Sequence, residues 1–356
     1  MPVTIVTGSG GLIGSECVSR FIELGYDVIG LENDTRATLF GPQASTARVT
    51  DRLRARHPEF RSLEVDIRDG QAVEGVFRRH GPEIAAVVHT AAQPSHDLSA
   101  AVPQVDFAIN AAGTLNLLEA TRQHAPDAPF VFTSTNKVYG DTPNRLPLIE
   151  LATRFELAPD HRYHGGIDTS MSLDTSTHSP FGVSKAAADL MVQEYGRYYG
   201  MPTVCFRAGC LTGPNHAGVE LHGFLSYLMR CVVTGTAYTV YGYGARQVRD
   251  NIHSADLVRA FEMFVGAPRS GAVYNIGGGR LSNCSMLEAI DLCQEISGQR
   301  LDWALEERAR VGDHMWWISD LAEFQADYPG WRLEHDLRST LTEIHDVNIE
   351  RWMASA

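Results

Sequence analysis

A run of β-branched and apolar residues, Val3-Thr4-Ile5-Val6-Thr7, passes directly into Gly8-Ser9-Gly10-Gly11-Leu12-Ile13-Gly14, and an amphipathic pattern follows as far as Gly25. A buried parallel strand that turns sharply into a helix needs glycine where the chain reverses, and again where backbone must close on a ligand. The helix that starts there offers N–H groups and the positive end of its dipole, which suits a pyrophosphate. A second strand-like run, Val28-Ile29-Gly30-Leu31, ends at Glu32, eighteen residues beyond Gly14. A carboxylate at that point can accept both hydroxyls of an adenosine ribose and repels a 2′-phosphate. Strand, turn, helix, strand and acid in this order predict a dinucleotide site that takes NAD in preference to NADP. Gly8, Gly11, Leu12, Ile13 and Gly14 form its turn, and Glu32 and Asn33 follow its second strand.

The 356 residues suffice for one large α/β domain and a smaller appended one. Thirty basic against 43 acidic side chains give a net charge of −13, and no basic run tracks a phosphate backbone, so nucleic-acid binding is disfavoured. No apolar stretch approaches the ~20 residues that span a bilayer, and Met1-Pro2-Val3 begins no secretion pattern, so a soluble cytoplasmic protein without membrane partners is expected. The six cysteines lack Cys-x-x-Cys spacing and read as buried reduced thiols. His161-Arg162-Tyr163-His164 lacks a third ligand at suitable spacing, so no metal site is expected.

Strand-like runs at 3–7, 27–31, 62–65, 85–89, 129–133 and 202–207 alternate with helical patterns near 12–24, 44–56, 71–79, 111–124 and 184–199. This alternation predicts a doubly wound parallel sheet of the Rossmann type. Residues 1–207, joined by part of 247–265, are expected to form the dinucleotide-binding domain. Residues 208–356, with short strands near 238–241, 248–252 and 272–276 and a helix near 285–297, are expected to form a smaller mixed α/β substrate domain. From Gly140 to Pro180 no periodicity is sustained, which points to a functional loop over the substrate.

Six segments carry a resemblance. They are the first glycine turn, Asp66-Ile67-Arg68-Asp69, His89-Thr90-Ala91-Ala92-Gln93, Phe132-Thr133-Ser134-Thr135-Asn136-Lys137-Val138-Tyr139-Gly140, Ser179-Pro180-Phe181-Gly182-Val183-Ser184-Lys185 and Arg249-Asp250-Asn251-Ile252-His253. Over nearly its whole length the chain resembles the extended short-chain dehydrogenase/reductase family, and within it the nucleotide-sugar epimerases and dehydratases. The resemblance implies that Thr135 hydrogen-bonds the reacting sugar hydroxyl and that Lys185 bridges the nicotinamide ribose. It also implies that Asp66, Ile67, Ala91 and Ala92 line the cofactor, that Arg249 and Arg310 grip the substrate pyrophosphate, and that Gln93, Asn136, Cys210 and His222 face the sugar. For His222 a helix-capping or merely exposed position fits equally well. A homodimer or homotetramer through the helices near 111–124 and 184–199 is implied too.

Position 181 departs from the family pattern. Tyr-x-x-x-Lys reads Phe181-Gly182-Val183-Ser184-Lys185 here, so the hydroxyl that relays the proton is absent. A positioned base is worth roughly 10²–10⁴-fold in such a step. Three explanations stay open: an engineered replacement, a natural one with another base, or a protein that holds NAD without turnover. If another residue serves, Lys137 is the candidate, two residues beyond Thr135 at the carboxyl edge of the fifth strand; the alternative is a lysine outside the reacting shell. Tyr163 and His178 are weaker candidates. Asn136 stands where related dehydratases carry an aspartic acid, and an amide cannot act as an acid for a departing hydroxyl. The expected activity is therefore NAD-dependent epimerisation of a nucleotide sugar, 2-epimerase-like, through a ketosugar, with a 4,6-dehydratase or dehydrogenase and a non-catalytic NAD-binding protein as alternatives.

Overall fold

The computed structural model describes residues 1–216, 218–220, 223–309 and 312–355. Seven parallel strands form the main sheet, in the spatial order Ala272–Ile276, Thr203–Ala208, Phe130–Thr135, Ile84–His89, Val3–Thr7, Asp27–Leu31 and Arg61–Leu63. Every residue of Val3–Thr7 is buried, as a central strand covered on both faces requires. Its neighbours pair in parallel with Thr7 opposite Leu31 on one side and His89 on the other. The strand order therefore reverses at the carboxyl end of Val3–Thr7, the switch point where open α/β sheets take their ligands.

The helices owe their ends to local chemistry. Gly70–His80 starts at Asp69, whose carboxylate accepts the N–H groups of Gln71 and Ala72, a cap worth about 1 kcal/mol. Pro180–Tyr199 starts behind Ser179 with proline at its first position and stops at Gly200 in the left-handed region. Against the sheet, Phe77, Leu117, Leu118, Phe130 and Val192 join a single apolar core, each side chain contributing roughly 1.5–3 kcal/mol. The expected helix at 111–124 begins earlier, as Pro103–Phe107 runs through a π-helical turn, Ala108–Ala112, into Gly113–His124. Asn110 lies inside that turn, where the extra residue of a π-bulge redirects a side chain.

Two units emerge, and the chain passes between them at 207/208 and also at 138/139, 178/179, 256/257 and 274/275. The first comprises Met1–Val138, Ser179–Arg207 and Leu257–Tyr274, and the second Tyr139–His178, Ala208–Asp256 and Asn275–Ala356. Of 247–265, the part from Leu257 belongs to the first unit, whereas Val248–His253 pairs with Cys210–Thr212, Asn283–Ser285 and Trp316–Trp317 in the second unit's own sheet. The run at 272–276, expected among the substrate-domain strands, is instead the edge strand of the main sheet. A helix followed by a strand-like run reads the same whichever sheet accepts it. The 140–178 segment belongs to the second unit and contains a two-residue hairpin ladder, Ile149–Glu150 with Phe155–Glu156, a 3₁₀ turn at Thr142–Arg145 and a single parallel bridge from Ile167 to Ser319. The second unit has its own core, in which Leu228, Val232, Ile290, Leu341 and Ile344 pack together.

Candidate active site

At the glycine turn, Gly8 has φ +65° and a Cβ there would come within 2.9 Å of the Ala91 Cα. A Cβ on Gly14 would lie 2.1 Å from the Gly8 carbonyl oxygen. The turn is thus closed by backbone on backbone, and only glycine fits. The helix Leu12–Glu23 begins behind Gly11 with no side-chain cap and no acid in its first turn. Its leading N–H groups, those of Leu12, Ile13 and Gly14, are left for an anion. The Glu32 carboxylate accepts three backbone N–H groups: Gly10 at 2.9 Å through Oε2, and Asn33 and Asp34 at 3.0 and 2.9 Å through Oε1. Asn33 Oδ1 accepts the N–H and hydroxyl of Thr35, holding the following turn. Asp66 is paired with Arg68, whose hydrogen bonds hold its carboxyl below the usual range, and the carbonyl of Ile67 accepts from Asn116. An uncapped helix start, glycines whose Cβ would fill the cradle, and a carboxylate beyond the second strand fit NAD.

The segment after Ile84–His89 is fixed by a chain of hydrogen bonds. Thr7 Oγ1 accepts the N–H groups of Thr90 and Ala91 at 3.2 and 3.1 Å, so its proton goes to His89 Nδ1 at 2.7 Å. His89 Nε2–H then donates to Thr114 Oγ1 at 2.9 Å, whose own proton goes to the Asn110 carbonyl at 2.6 Å. Burial, reinforced by the Lys185 charge, lowers the pKa of His89 to about 3. Ala92 continues this segment into Gln93. Gln93 has a role other than the sugar contact expected of it: it is buried, and its amide accepts from Ser95 N–H and donates to the Ser95 carbonyl and to Asp106. It braces the loop that leads to His96.

On the fifth strand, Phe130–Thr135, and the turn after it, Thr135 Oγ1 accepts the Lys137 N–H at 3.2 Å and lies 3.4 Å from Asn136 Oδ1. Asn136 is buried and Lys137 half-buried. The helix Pro180–Tyr199 brings Lys185 against this strand: its Nζ donates to the Thr133 carbonyl at 2.8 Å and sits 4.1 Å from the Phe132 ring centroid. Burial lowers Lys185 to about 8, against the pull of Asp189, Cys205 and Asp106. One turn earlier, Phe181 is buried, its N–H donating to Ser99 Oγ at 3.1 Å. The ring of His96 meets the Phe181 ring edge-on at 4.9 Å, and His96 Nδ1 lies 2.7 Å from Ser179 Oγ. Sequence reasoning missed this pair. His96 and Ser179 are 83 residues apart, and no local pattern joins them.

In the second unit, Arg249 lies buried on Val248–His253, with Nη2 2.5 Å from Asp313 Oδ1 and Nη1 donating to the Val248 carbonyl. Cys210 is half-buried on the neighbouring strand. His222 and Arg310 lie outside the described residues. All six cysteines are free thiols. Among the described residues, the one convergent set of metal-ligand types is His253, His335 and Glu343. The His253 and His335 rings stack at 4.1 Å and 18°, and two parallel rings cannot both point a nitrogen lone pair at one ion. No helix of the structure is long and apolar enough to cross a membrane among the described residues.

The chain matches the NAD dependent epimerase/dehydratase family over residues 4–277. It is 31% identical to the CDP-paratose 2-epimerase of Salmonella typhi, over 82% of this chain and 83% of that one. It is also 31% identical to the dTDP-glucose 4,6-dehydratase 1 of Escherichia coli K12, over 77% and 71%. Among solved structures, the dTDP-glucose 4,6-dehydratase DesIV of Streptomyces venezuelae, crystallised with NAD, superposes with a TM-score of 0.77 at 24% identity, covering 98% and 97% of the two chains. The UDP-glucose 4-epimerase of Bifidobacterium longum, in complex with NAD⁺ and UDP, has a TM-score of 0.77 at 22% identity, covering 99% of each. With the dinucleotide turn, the Glu32 carboxylate and the reversed strand order in place, this chain belongs to the NAD-dependent nucleotide-sugar epimerase/dehydratase family.

Proposed function

We propose that the protein is an epimerase that inverts one carbon of a nucleotide-diphosphate sugar through a ketosugar, in the manner of a 2-epimerase. The observation that carries this reading is Asn136. It follows Thr135 at the carboxyl edge of the fifth strand, where a dehydratase needs an acid to protonate the departing hydroxyl. An amide has no such proton to give, and the sugar therefore keeps all its atoms. When bound, NAD supplies a reversible hydride acceptor. Gly8, Gly11, Leu12, Ile13 and Gly14 hold its pyrophosphate, Glu32 and Asn33 its adenosine ribose, Asp66 and Ile67 its adenine, and Lys185 its nicotinamide ribose, while Ala91 and Ala92 line the cofactor beside the glycine turn. Thr135 orients the reacting hydroxyl by a hydrogen bond. Arg249 and Arg310 suit the substrate pyrophosphate by charge and fork geometry, and Asn136, Cys210 and His222 shape the sugar pocket.

A second reading, dehydration, is favoured by the likeness to dTDP-glucose 4,6-dehydratases. Incubation with CDP-paratose, dTDP-glucose and UDP-glucose, followed by NMR and mass spectrometry, separates the two. Epimerisation gives a new set of ring couplings at unchanged mass without stoichiometric NADH. A product lighter by one water, or an oxidised sugar with matching NADH, refutes it.

A further inference from the structure

Phe181 leaves the first unit without the hydroxyl that its relatives' motif places one turn before the lysine, yet oxidation of an alcohol carbon still requires its O–H proton to leave. An imidazole meets that phenyl ring edge-on. His96 is the first residue of the helix His96–Ala101, which Ser95 caps by accepting the Leu98 N–H at 3.3 Å. It follows the strand Ile84–His89 by seven residues, on the carboxyl side of the sheet where the dinucleotide turn also lies. Gln93 fixes the approach to it through Ser95 and Asp106, and Asn110, from the π-helical turn, ties the Gln93 carbonyl and Asp106 to Ser184 on the helix Pro180–Tyr199. The His96 ring is thus held edge-on to Phe181 by a buried network.

Resting on the oxidation–return chemistry above, we propose that His96 is the proton acceptor that stands in for the absent tyrosine hydroxyl, and that Ser179 is the positioning residue that selects its tautomer. Ser179 Oγ accepts the Gly182 N–H at 3.3 Å as the cap of the helix Pro180–Tyr199. The hydroxyl oxygen keeps a second lone pair, and in the proposed arrangement Nδ1–H of His96, 2.7 Å away, donates to it. In that tautomer Nε2 carries the basic lone pair. In the forward step the sugar O–H bond breaks and its proton goes to Nε2. The C–H electron pair leaves as hydride for the nicotinamide, and the C=O bond forms. The return step moves the same proton from the imidazolium to the carbonyl oxygen as hydride comes back, so neither charge nor atoms accumulate. The charged groups carried by the elements packed on this helix are Asp97 on the helix itself, Asp106 on Pro103–Phe107, and Lys185, Asp189, Glu194 and Arg197 on Pro180–Tyr199.

The test uses the full-length protein with NAD and the panel CDP-paratose, dTDP-glucose and UDP-glucose, and reads the pH dependence of nicotinamide reduction in a single turnover. Wild type shows an acid limb in the imidazole range. His96→Gln loses that limb and is slower by roughly 10²–10⁴-fold, the worth of a positioned base. Phe181→Tyr placed on His96→Gln restores turnover with a limb at a different pH. Nitrogen-15 spectra of the histidine-labelled protein, which need no turnover, show His96 as the Nδ1–H tautomer, and Ser179→Ala shifts that tautomer and the limb together. The proposal is overturned if His96→Gln keeps the wild-type rate and limb, if Lys137→Met removes the limb while His96→Gln keeps it, or if His96 rests as the Nε2–H tautomer. No turnover by wild type on the whole panel, with NAD bound, overturns the epimerase reading and this one with it. Wild-type turnover with an indifferent His96 overturns this one alone.

Discussion

Glu32 should set both the affinity for the cofactor and the choice between its two forms, and Glu32→Gln separates those roles. Its carboxylate accepts the N–H groups of Gly10, Asn33 and Asp34, which places a full negative charge where the adenosine ribose hydroxyls are expected. A hydrogen bond to a charged group contributes about 1.5–3 kcal/mol. Losing the charge-assisted bond to the ribose should weaken NAD binding by about 10–100-fold, since about 1.4 kcal/mol is tenfold. For NADP the sign changes. Two unit charges ~4 Å apart at an effective dielectric of ~20 repel by about 4 kcal/mol, and the variant removes that repulsion. The NAD-to-NADP affinity ratio should therefore collapse by about 10³-fold or more, measured by calorimetric titration of wild type and Glu32→Gln with each cofactor. The new amide also sets N–H groups against backbone donors and should loosen the turn, but this weakens both cofactors alike and leaves the ratio untouched. An unchanged ratio, with both affinities lower, would refute the reasoning and leave Glu32 as a clamp on the turn alone.

Other consequences follow from buried groups. His89 is neutral in the folded protein and takes up a proton only near pH 3, whereas the unfolded side chain does so near 6.5. Its stabilising contribution is complete above pH 6.5 and is lost as pH falls toward 3, at about 1.4 kcal/mol per pH step. Urea unfolding between pH 7 and pH 5 should cost the wild type about 2 kcal/mol more than His89→Gln; parallel losses would contradict this. Comparison with that variant cancels Asp250, which burial raises to about 6 and which acts in the opposite sense. Asp189, fully buried, pairs with buried Arg207 and accepts from Ser134 and Gln193. Asp189→Asn removes the buried carboxylate that Arg207 pairs with and should cost about 3–5 kcal/mol in denaturant unfolding; a loss below 1 kcal/mol would show that water reaches the pair. Leu115, Val183, Leu190, Tyr198 and Tyr199 are exposed on Gly113–His124 and Pro180–Tyr199. Native mass spectrometry should find a homodimer or homotetramer that Leu190→Glu dissociates, and a wild-type monomer at micromolar concentration would count against that face.

The parts of this molecule legible in its sequence are those set by neighbours in the chain. Val3–Thr7, the glycine turn and Leu12–Glu23 fall within a residue of where periodicity and glycine spacing place them, because one strand, one turn and one helix cap decide them. The loss of the hydroxyl at Phe181 is likewise plain from a five-residue motif. What sequence reading cannot see is pairing at a distance. Ala272–Ile276 goes to the main sheet because a partner strand is there, and Asn110 reaches Ser184 only because a π-helical turn rotates it inward. Gln93 is expected against the sugar from the family resemblance alone, whereas its amide bonds Ser95 and Asp106. His96 carried no signal at all, since its meaning depends on Ser179 and Phe181 arriving from another helix.

The central claim, that hydrogen leaves a ring carbon and returns to the same carbon from the other face, is tested most directly by isotope. The substrate identified from the nucleotide-sugar panel is prepared with deuterium on the carbon that inverts and is converted in ordinary water. The account predicts that the epimer keeps its deuterium on that carbon, with a transient rise in reduced nicotinamide in a single turnover. Loss of the deuterium to solvent, with the nicotinamide oxidised throughout, would mean inversion by proton exchange and would contradict it.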